Sequence, residues 1–378
     1  MEIQRLSLSH FRNYEQAEVC FSSGQNLIFG ENAQGKTNLL EGAAYLSGAR
    51  SHRTRGDKEL IQFGQEKAAV CGTVLSRERI FSIEIFLFRH GRRQMLLNGV
   101  KQKTTASLSD TLRTVLFTPE DLFLIWSGPA ARRRFLDQTL CQLRPRYAQA
   151  LSQYHRLQEH KTRILRDWEQ KPSLLSTLDT FNGDMARYGA ILISYRAKYV
   201  QILGEIFCKI HSACSGNREQ PSLVYETVST VADPFAPVEQ IETWLLEHQA
   251  SHRAAEQAVK SCLSGPHKDD FLVLLDGRPL KAFGSQGQVR TAALSLKLAE
   301  REVHFFDRKE YPVLFLDDVL SELDERRQSF VLNQITEGQV FITCCQKMPL
   351  LEQEGNAEFR IEHGVIFPAE DAPQRENE

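Results

Sequence analysis

No stretch of this chain approaches the ~20 consecutive apolar residues that a membrane-spanning helix needs, and Met1 to Arg5 hold no apolar run fit for a signal peptide. A cytosolic location without a membrane partner is expected. The eight cysteines include no Cys-x-x-Cys pair, so neither a zinc site nor a disulfide framework is indicated. An excess of one charge sign is missing too. The 46 Lys and Arg stand against 48 Asp and Glu, for a net charge of −2. That gives no global attraction to nucleic acid and leaves any such binding to local patches. Internal repeats and low-complexity segments are also lacking.

What is present is ordinary globular material: 378 residues, 42% hydrophobic and 25% charged. That length accommodates two domains, or one large domain with an insertion. Residues 1–118 read as mixed strand and helix. Asn26 to Phe29 form a short apolar strand, Leu39, Leu40 and Ala43 continue as a helix, and Ile80 to Phe88 are β-rich. Asn98-Gly99 is a two-residue hairpin turn, as is Asp276-Gly277 after Phe271–Leu275. From 119 to 260 helix formers dominate, over Ala130–Leu143, Tyr147–Trp168, Leu174–Leu203 and Val238–Leu263. Prolines at 129, 145, 172, 221, 234 and 237 divide this region into separate helices and exclude a sustained coiled coil. After Gly265 the mixed pattern returns, with a helix over 289–304 and strands at 312–317 and Gln339–Thr343. Ala369–Glu378 is a polar, frayed end. The expected architecture is an α/β fold in which 1–118 and 261–378 form one domain and 119–260 a helical insertion.

Three separated fragments make sense as parts of one nucleotide site. Gly30-Glu31-Asn32-Ala33-Gln34-Gly35-Lys36-Thr37 matches the G-x-x-x-x-G-K-[ST] phosphate loop in full. A strand, a glycine-rich turn and a helix start aim several backbone N–H groups and the positive helix end at phosphate. Lys36 would reach the β- and γ-phosphates of ATP, and the Thr37 hydroxyl would ligate Mg²⁺. Val313 to Leu316 lead into Asp317-Asp318, carboxylates at the end of a buried strand. Asp317 is assigned to Mg²⁺ and Asp318 to the attacking water, although an Asp-Asp pair alone could be a surface turn or a helix start. Ser285-Gln286-Gly287-Gln288 opens a helix and offers a hydroxyl and free N–H groups to an anion, or merely caps that helix.

The combination resembles the ATP-binding-cassette ATPases, and within them the heads of chromosome-maintenance and break-repair proteins, most nearly the RecF family of bacterial recombination-repair proteins. The resemblance rests on Phe11 to Tyr14, the phosphate loop with Asn38 to Glu41, and Arg50 to Thr54. It continues through Pro119 to Leu122, Arg132 to Asp137, Gly265 to Asp270, Ser285 to Arg290 and Asp317 to Asp324. It implies an ABC-type P-loop ATPase head with an inserted helical arm domain, and slow ATP hydrolysis that uses Lys36 and Asp318. Ser285 and Gly287 resemble the signature loop that touches ATP bound by the opposite subunit, and Ser321 to Asp324 the D-loop. An ATP-dependent homodimer is thereby implied, clamping double-stranded DNA near ss/ds junctions and loading recombinase at gaps, with RecR and RecO as partners and a nucleoid-associated place in the cytoplasm. Three departures stand out. Asp318 replaces the usual Glu, Val115–Glu120 lacks a glutamine, and Cys344-Cys345-Gln346 stands where a switch His is usual.

The densest positive segments are Arg89 to Arg93, Arg50 to Arg55 and Arg132 to Arg134. Such clusters can bind DNA phosphates, or pair internally with acidic residues. Rival readings are a transporter ATPase subunit, whose two motifs lie closer in sequence, and a break-repair head, which needs a coiled coil and a Cys-x-x-Cys hook. A nucleotide-gated structural protein that never turns over is a third.

Overall fold

The computed structural model describes residues 1–49, 51, 53–54, 56–347 and 355–368. The chain divides into two compact units, Met1–Leu122 with Glu300–Glu378, and Phe123–Ala299. The second unit therefore includes 261–299, which the sequence pattern groups with the first.

The first unit holds two six-stranded sheets. One is antiparallel, in the order Tyr14–Cys20, Glu2–Phe11, Lys67–Ser76, Arg79–Phe88, Gln94–Leu97 and Val100–Gln102. Its strands alternate, so that Ile83, Ile85 and Leu87 point inward, as expected of a sheet with one wet face. The second sheet runs Val365–Pro368, Ala357–Glu362, Gln25–Phe29, Val340–Cys344, Val313–Asp317 and Thr114–Phe117. All its pairings are parallel except that of the edge strand Val365–Pro368. Strands Val313–Asp317 and Val340–Cys344 are buried at every position, which explains their unbroken apolar runs. Helix Lys36–Tyr45 packs Leu39, Leu40 and Ala43 into one core with Leu6, Leu8 and Val70 of the antiparallel sheet and Phe315 and Phe341 of the parallel one. Each fully buried leucine contributes roughly 2 kcal/mol to holding that helix in place.

The expected hairpin turns form. Asn98 and Gly99 both have positive φ, 50° and 75°, between paired strands, and Asp276 and Gly277 do the same at 52° and 74°. A third such turn, Arg77-Glu78 with φ 49° and 59°, joins Lys67–Ser76 to Arg79–Phe88 without any residue type that announces it.

The second unit is mainly helical: Pro129–Leu143, Pro145–Asp167, Leu178–Ser215, Val238–Ser251 and Arg253–Val259. Pro129 and Pro145 stand at first helical positions, where a missing N–H costs nothing. Helix Leu178–Ser215 runs well past the expected end and stops at Gly216, φ 71°. Strand Pro221–Glu226, unforeseen inside the helical stretch, pairs antiparallel with Asp270–Leu275. At the centre of this unit Arg196 is buried, donating to Asp137 Oδ1 at 2.7 Å, Asp269 Oδ2 at 2.8 Å and the Pro266 carbonyl at 2.7 Å. Asp269 also accepts from the hydroxyls of Tyr225 and Thr227, so this buried carboxylate is fully partnered. Among the described residues no helix is long and apolar enough to cross a membrane.

Candidate nucleotide site

The register of the parallel sheet assembles the site. Thr343 lies beside Asp317 on one side and Ile28 on the other, and Cys344 beside Phe29. Three strand ends thus finish level, and the loop leaving Phe29 must pass over the carboxylate leaving Leu316. Ligands of open parallel sheets sit at such carboxyl ends.

The phosphate loop runs from Gly30 to the start of helix Lys36–Tyr45. Gly35 has φ 118°, and a Cβ there would come within 2.6 Å of Asn13 Nδ2, so this position requires glycine. Tyr14 donates its hydroxyl to the Gly35 carbonyl at 3.0 Å. Burial pushes that phenol far above its ordinary value, so it remains a donor. Asn13 Nδ2 donates to Gln34 O at 3.2 Å, and Asn38 Nδ2 to Asn13 Oδ1 at 2.8 Å. Beyond the loop, the turn His363-Gly364 donates backbone N–H groups to Gln34 Oε1 and Gln34 O, at 2.5 and 3.2 Å. Arg12 grips the buried Glu41 with two bonds of 2.8 and 2.9 Å and so ties the helix to the end of strand Glu2–Phe11. These contacts explain why Phe11 to Tyr14 and Asn38 to Glu41 accompany the loop in the sequence.

Lys36 is buried, and its Nζ donates to the carbonyls of Gly30 and Glu31 at 2.7 and 2.8 Å, which holds the ammonium across the loop. Thr37 Oγ1 donates to Asp317 Oδ1 at 2.9 Å, although 280 residues separate them. That is a paired hydroxyl and carboxylate, the hard oxygen donors that suit Mg²⁺. Asp318 follows with φ 55°, a conformation rare outside glycine, asparagine and aspartate. Ser321 Oγ donates to the Asp318 carbonyl at 2.6 Å.

Sequence reasoning gave Thr343 no role. Its hydroxyl donates to Asp317 Oδ1 at 2.8 Å and accepts from the Asp318 N–H at 2.8 Å, so one side chain braces both acids. Only the strand assignment at 339–343 pointed toward it. The next residues, where a switch His is missing, also meet the loop. Cys345 Sγ donates to Asn32 Oδ1 at 3.0 Å, while burial pushes the Cys344 thiol up to about 11 and keeps it protonated.

Ser285 and Gly287 lie in the second unit. Ser285 N–H donates to Gln288 Oε1 at 2.8 Å, and Gln288 N–H to Ser285 Oγ at 3.3 Å, a reciprocal capping box that opens helix Gln286–Arg308. Both the serine and Gln286 are exposed.

The basic clusters divide. Arg132 is buried, bidentate to Asp270 at 2.6 and 2.7 Å, and Arg133 donates to Asp269 O at 2.6 Å. Arg134 is exposed. Arg93 is tied to Tyr45 Oη and Gly48 O at 2.9 and 2.8 Å, and Arg89 to Gln65 O at 2.9 Å, whereas Arg92 is exposed. Arg53 donates to Asn38 Oδ1 at 2.8 Å. Arg50, His52 and Arg55 of that cluster, and the Ala369–Glu378 tail, lie outside the described residues.

Comparison with known proteins places this geometry. Residues 2–365 match the model of the RecF/RecN/SMC N terminal domain family. The DNA replication and repair protein RecF of Agathobacter rectalis is 41% identical over 347 residues, covering 91% of this chain and 92% of its own. RecF of Acetivibrio thermocellus is 38% identical over 372 residues, 97% of this chain and 100% of its own. A solved structure of the recombination mediator protein RecF with ATPrS, from the RecFOR pathway, superposes with a TM-score of 0.91 at 32% identity, covering 97% of this chain and 98% of that one. The Smc head domain of Pyrococcus furiosus, solved with the C-terminal domain of ScpA, is similar in fold, with a TM-score of 0.53 at 16% identity over 97% of this chain and 95% of that one.

Proposed function

The chain belongs to the RecF family of DNA replication and repair proteins, within the RecF/RecN/SMC ATPase heads, and on that premise we propose that it is an ATP-switched clamp on duplex DNA. Two copies join head to head on ATP, hold double-stranded DNA near single-strand/double-strand junctions, and separate after slow hydrolysis. The clamp assists recombinase loading at gaps in the cytoplasm. RecR and RecO are the partners, in keeping with a RecF relative solved as part of the RecFOR pathway.

The observation that carries this reading is the bond between Thr37 and Asp317, 2.9 Å across 280 residues. Loop amides and Lys36 hold the β- and γ-phosphates. Thr37 and Asp317 would hold Mg²⁺, which would supply charge neutralisation to the triphosphate. Asp318, braced by Thr343 and Ser321, orients and deprotonates the attacking water. Its side chain is one methylene shorter than the usual Glu, which favours a slow timer. Ser285 and Gly287, at an exposed helix start, complete the site on the partner copy. As a functional grouping the ATPase head is 1–118 with 261–378, drawing its signature turn from the second compact unit, and 119–260 is the arm. Duplex phosphates meet exposed arginines such as Arg92 and Arg134, and affinity falls as salt rises.

Light scattering tests the proposal. With Mg²⁺ and ATP the mass should double. Ser285→Arg should stay monomeric while binding ATP normally, and Lys36→Met should lose both ATP binding and ATP-dependent DNA binding. A Ser285→Arg protein that doubles its mass like the wild type refutes the interface.

A further inference from the structure

Beside the signature turn, the second unit exposes aromatic side chains that the nucleotide site does not use. The short helix Leu280–Phe283 ends at Gly284, where a Cβ would stand 2.6 Å from the Leu280 carbonyl oxygen. Only glycine permits so close a reversal. The turn buries Leu280 at 2% but leaves Phe283 71% exposed, two residues before Ser285. Lys281 Nζ lies 3.5 Å from the Ser127 carbonyl and joins this turn to a second loop. That loop carries Phe123, 45% exposed, and Trp126, their ring centroids 6.1 Å apart. It is held from beneath, because Arg132 donates to the carbonyls of Ile125 and Ser127 at 2.9 and 2.6 Å while gripping Asp270. The aromatics therefore stand on braced supports.

We propose that Phe283, on a turn tied through Lys281 to the loop that carries Phe123 and Trp126, is the apolar anchor of the ATP-dependent contact and seats against a second copy of this chain. The inference rests on the head-to-head reading above and names a surface for it. Two residues of chain span at most about 7 Å, so a turn that meets the partner's triphosphate carries Phe283 into the same interface. Exposed aromatics that become buried at the centre of a contact dominate its affinity. A two-fold interface uses each such residue twice. Removing the ring at about tenfold per copy should weaken the dimer about a hundredfold.

The test uses the full chain with Mg²⁺ and the slowly hydrolysed analogue adenosine 5′-O-(3-thiotriphosphate), with dimer mass measured by sedimentation across protein concentration. Phe283→Ala should raise the dimer dissociation constant about a hundredfold, Phe283→Asp should abolish the dimer, and Phe283→Leu should restore most of it. Nucleotide affinity of the monomer should not change in any of them. If Phe283→Asp dimerises like the wild type while Ser285→Arg does not, the anchor is wrong and the head-to-head reading stands. Should both variants dimerise normally, both ideas fall. A Phe283→Asp protein that dimerises but loses duplex DNA assigns the patch to DNA and overturns the proposal.

Discussion

Replacing Thr343 with valine keeps the shape of the side chain and removes one oxygen. That oxygen gives a hydrogen bond to the Asp317 carboxylate and accepts one from the Asp318 N–H, both 2.8 Å long. Thr343 is 1% exposed and Asp317 5%, so water does not readily replace either bond. Losing a bond to a charged acceptor costs about 1.5–3 kcal/mol, and leaving a buried N–H unpaired costs about 1–3 kcal/mol. Part of this strain falls on Asp318, whose φ of 55° is held by its neighbours. If about 2 kcal/mol of the total is lost from the alignment of Asp318, the proposed water-orienting acid, hydrolysis should slow roughly 30-fold. Lys36 and the loop amides are untouched, so ATP affinity should remain within about threefold of wild type. Single-turnover ATP hydrolysis and equilibrium ATP binding, measured on Thr343→Val and Thr343→Ser, separate these effects. The serine variant keeps the hydroxyl and should turn over close to the wild-type rate. A valine variant that hydrolyses ATP within twofold of wild type would refute the bracing role.

Two further outcomes follow from the second unit. His267 accepts from the Tyr154 hydroxyl at Nδ1 (2.7 Å) and donates from Nε2 to Cys262 O (3.0 Å), a pairing that requires the neutral ring. Burial, with Lys268, Arg133 and Lys161 nearby, pushes the imidazole down to about 4 from 6.5. The unfolded chain thus binds the proton first. Stability from this residue should be complete above pH 6.5 and decline as pH falls toward about 4, by on the order of 3 kcal/mol in all. Denaturant midpoints at pH 7 and pH 5 on the wild type and His267→Gln will show it, and an equal pH slope in both would contradict it. Arg132→Met should lower stability by about 3–5 kcal/mol, because Asp270 is left as an uncompensated carboxylate. Thermal melts check this, and an unchanged Tm counts against the buried pair.

The site was largely legible because its signals are local. An apolar strand ending at Phe29, the Gly30–Thr37 loop, and four apolar residues before Asp317 each need only a short window of sequence. Register is different. That Thr343 falls beside Asp317, and Cys345 against Asn32, depends on how strands far apart in the chain pair, and no residue type marks it. The same contrast separates the turns. Asn98-Gly99 and Asp276-Gly277 declare their positive φ through residues that tolerate it, whereas Arg77-Glu78 adopts it because the paired strands on either side leave two residues to reverse the chain. Strand Pro221–Glu226 escaped notice because its partner, Asp270–Leu275, lies beyond two intervening helices.

Charge was the least legible property, for a physical reason. Three adjacent arginines in Arg132 to Arg134 look alike in sequence, yet a helix turns about 100° per residue, so neighbours face different surroundings. Arg132 points inward to Asp270 and the carbonyls of Leu124, Ile125 and Ser127. Arg133 reaches Asp269 O, and burial lowers its guanidinium from the ordinary value. Only Arg134 is exposed. Arg132 spends its donors inside the unit and Arg133 is tied there by one bond to Asp269 O, so neutralising Arg132 damages the fold before any contact with DNA is tested. Under the proposed clamp the phosphate contacts fall to exposed cations such as Arg92 and Arg134, and salt dependence should follow those positions, not the number of arginines in a run.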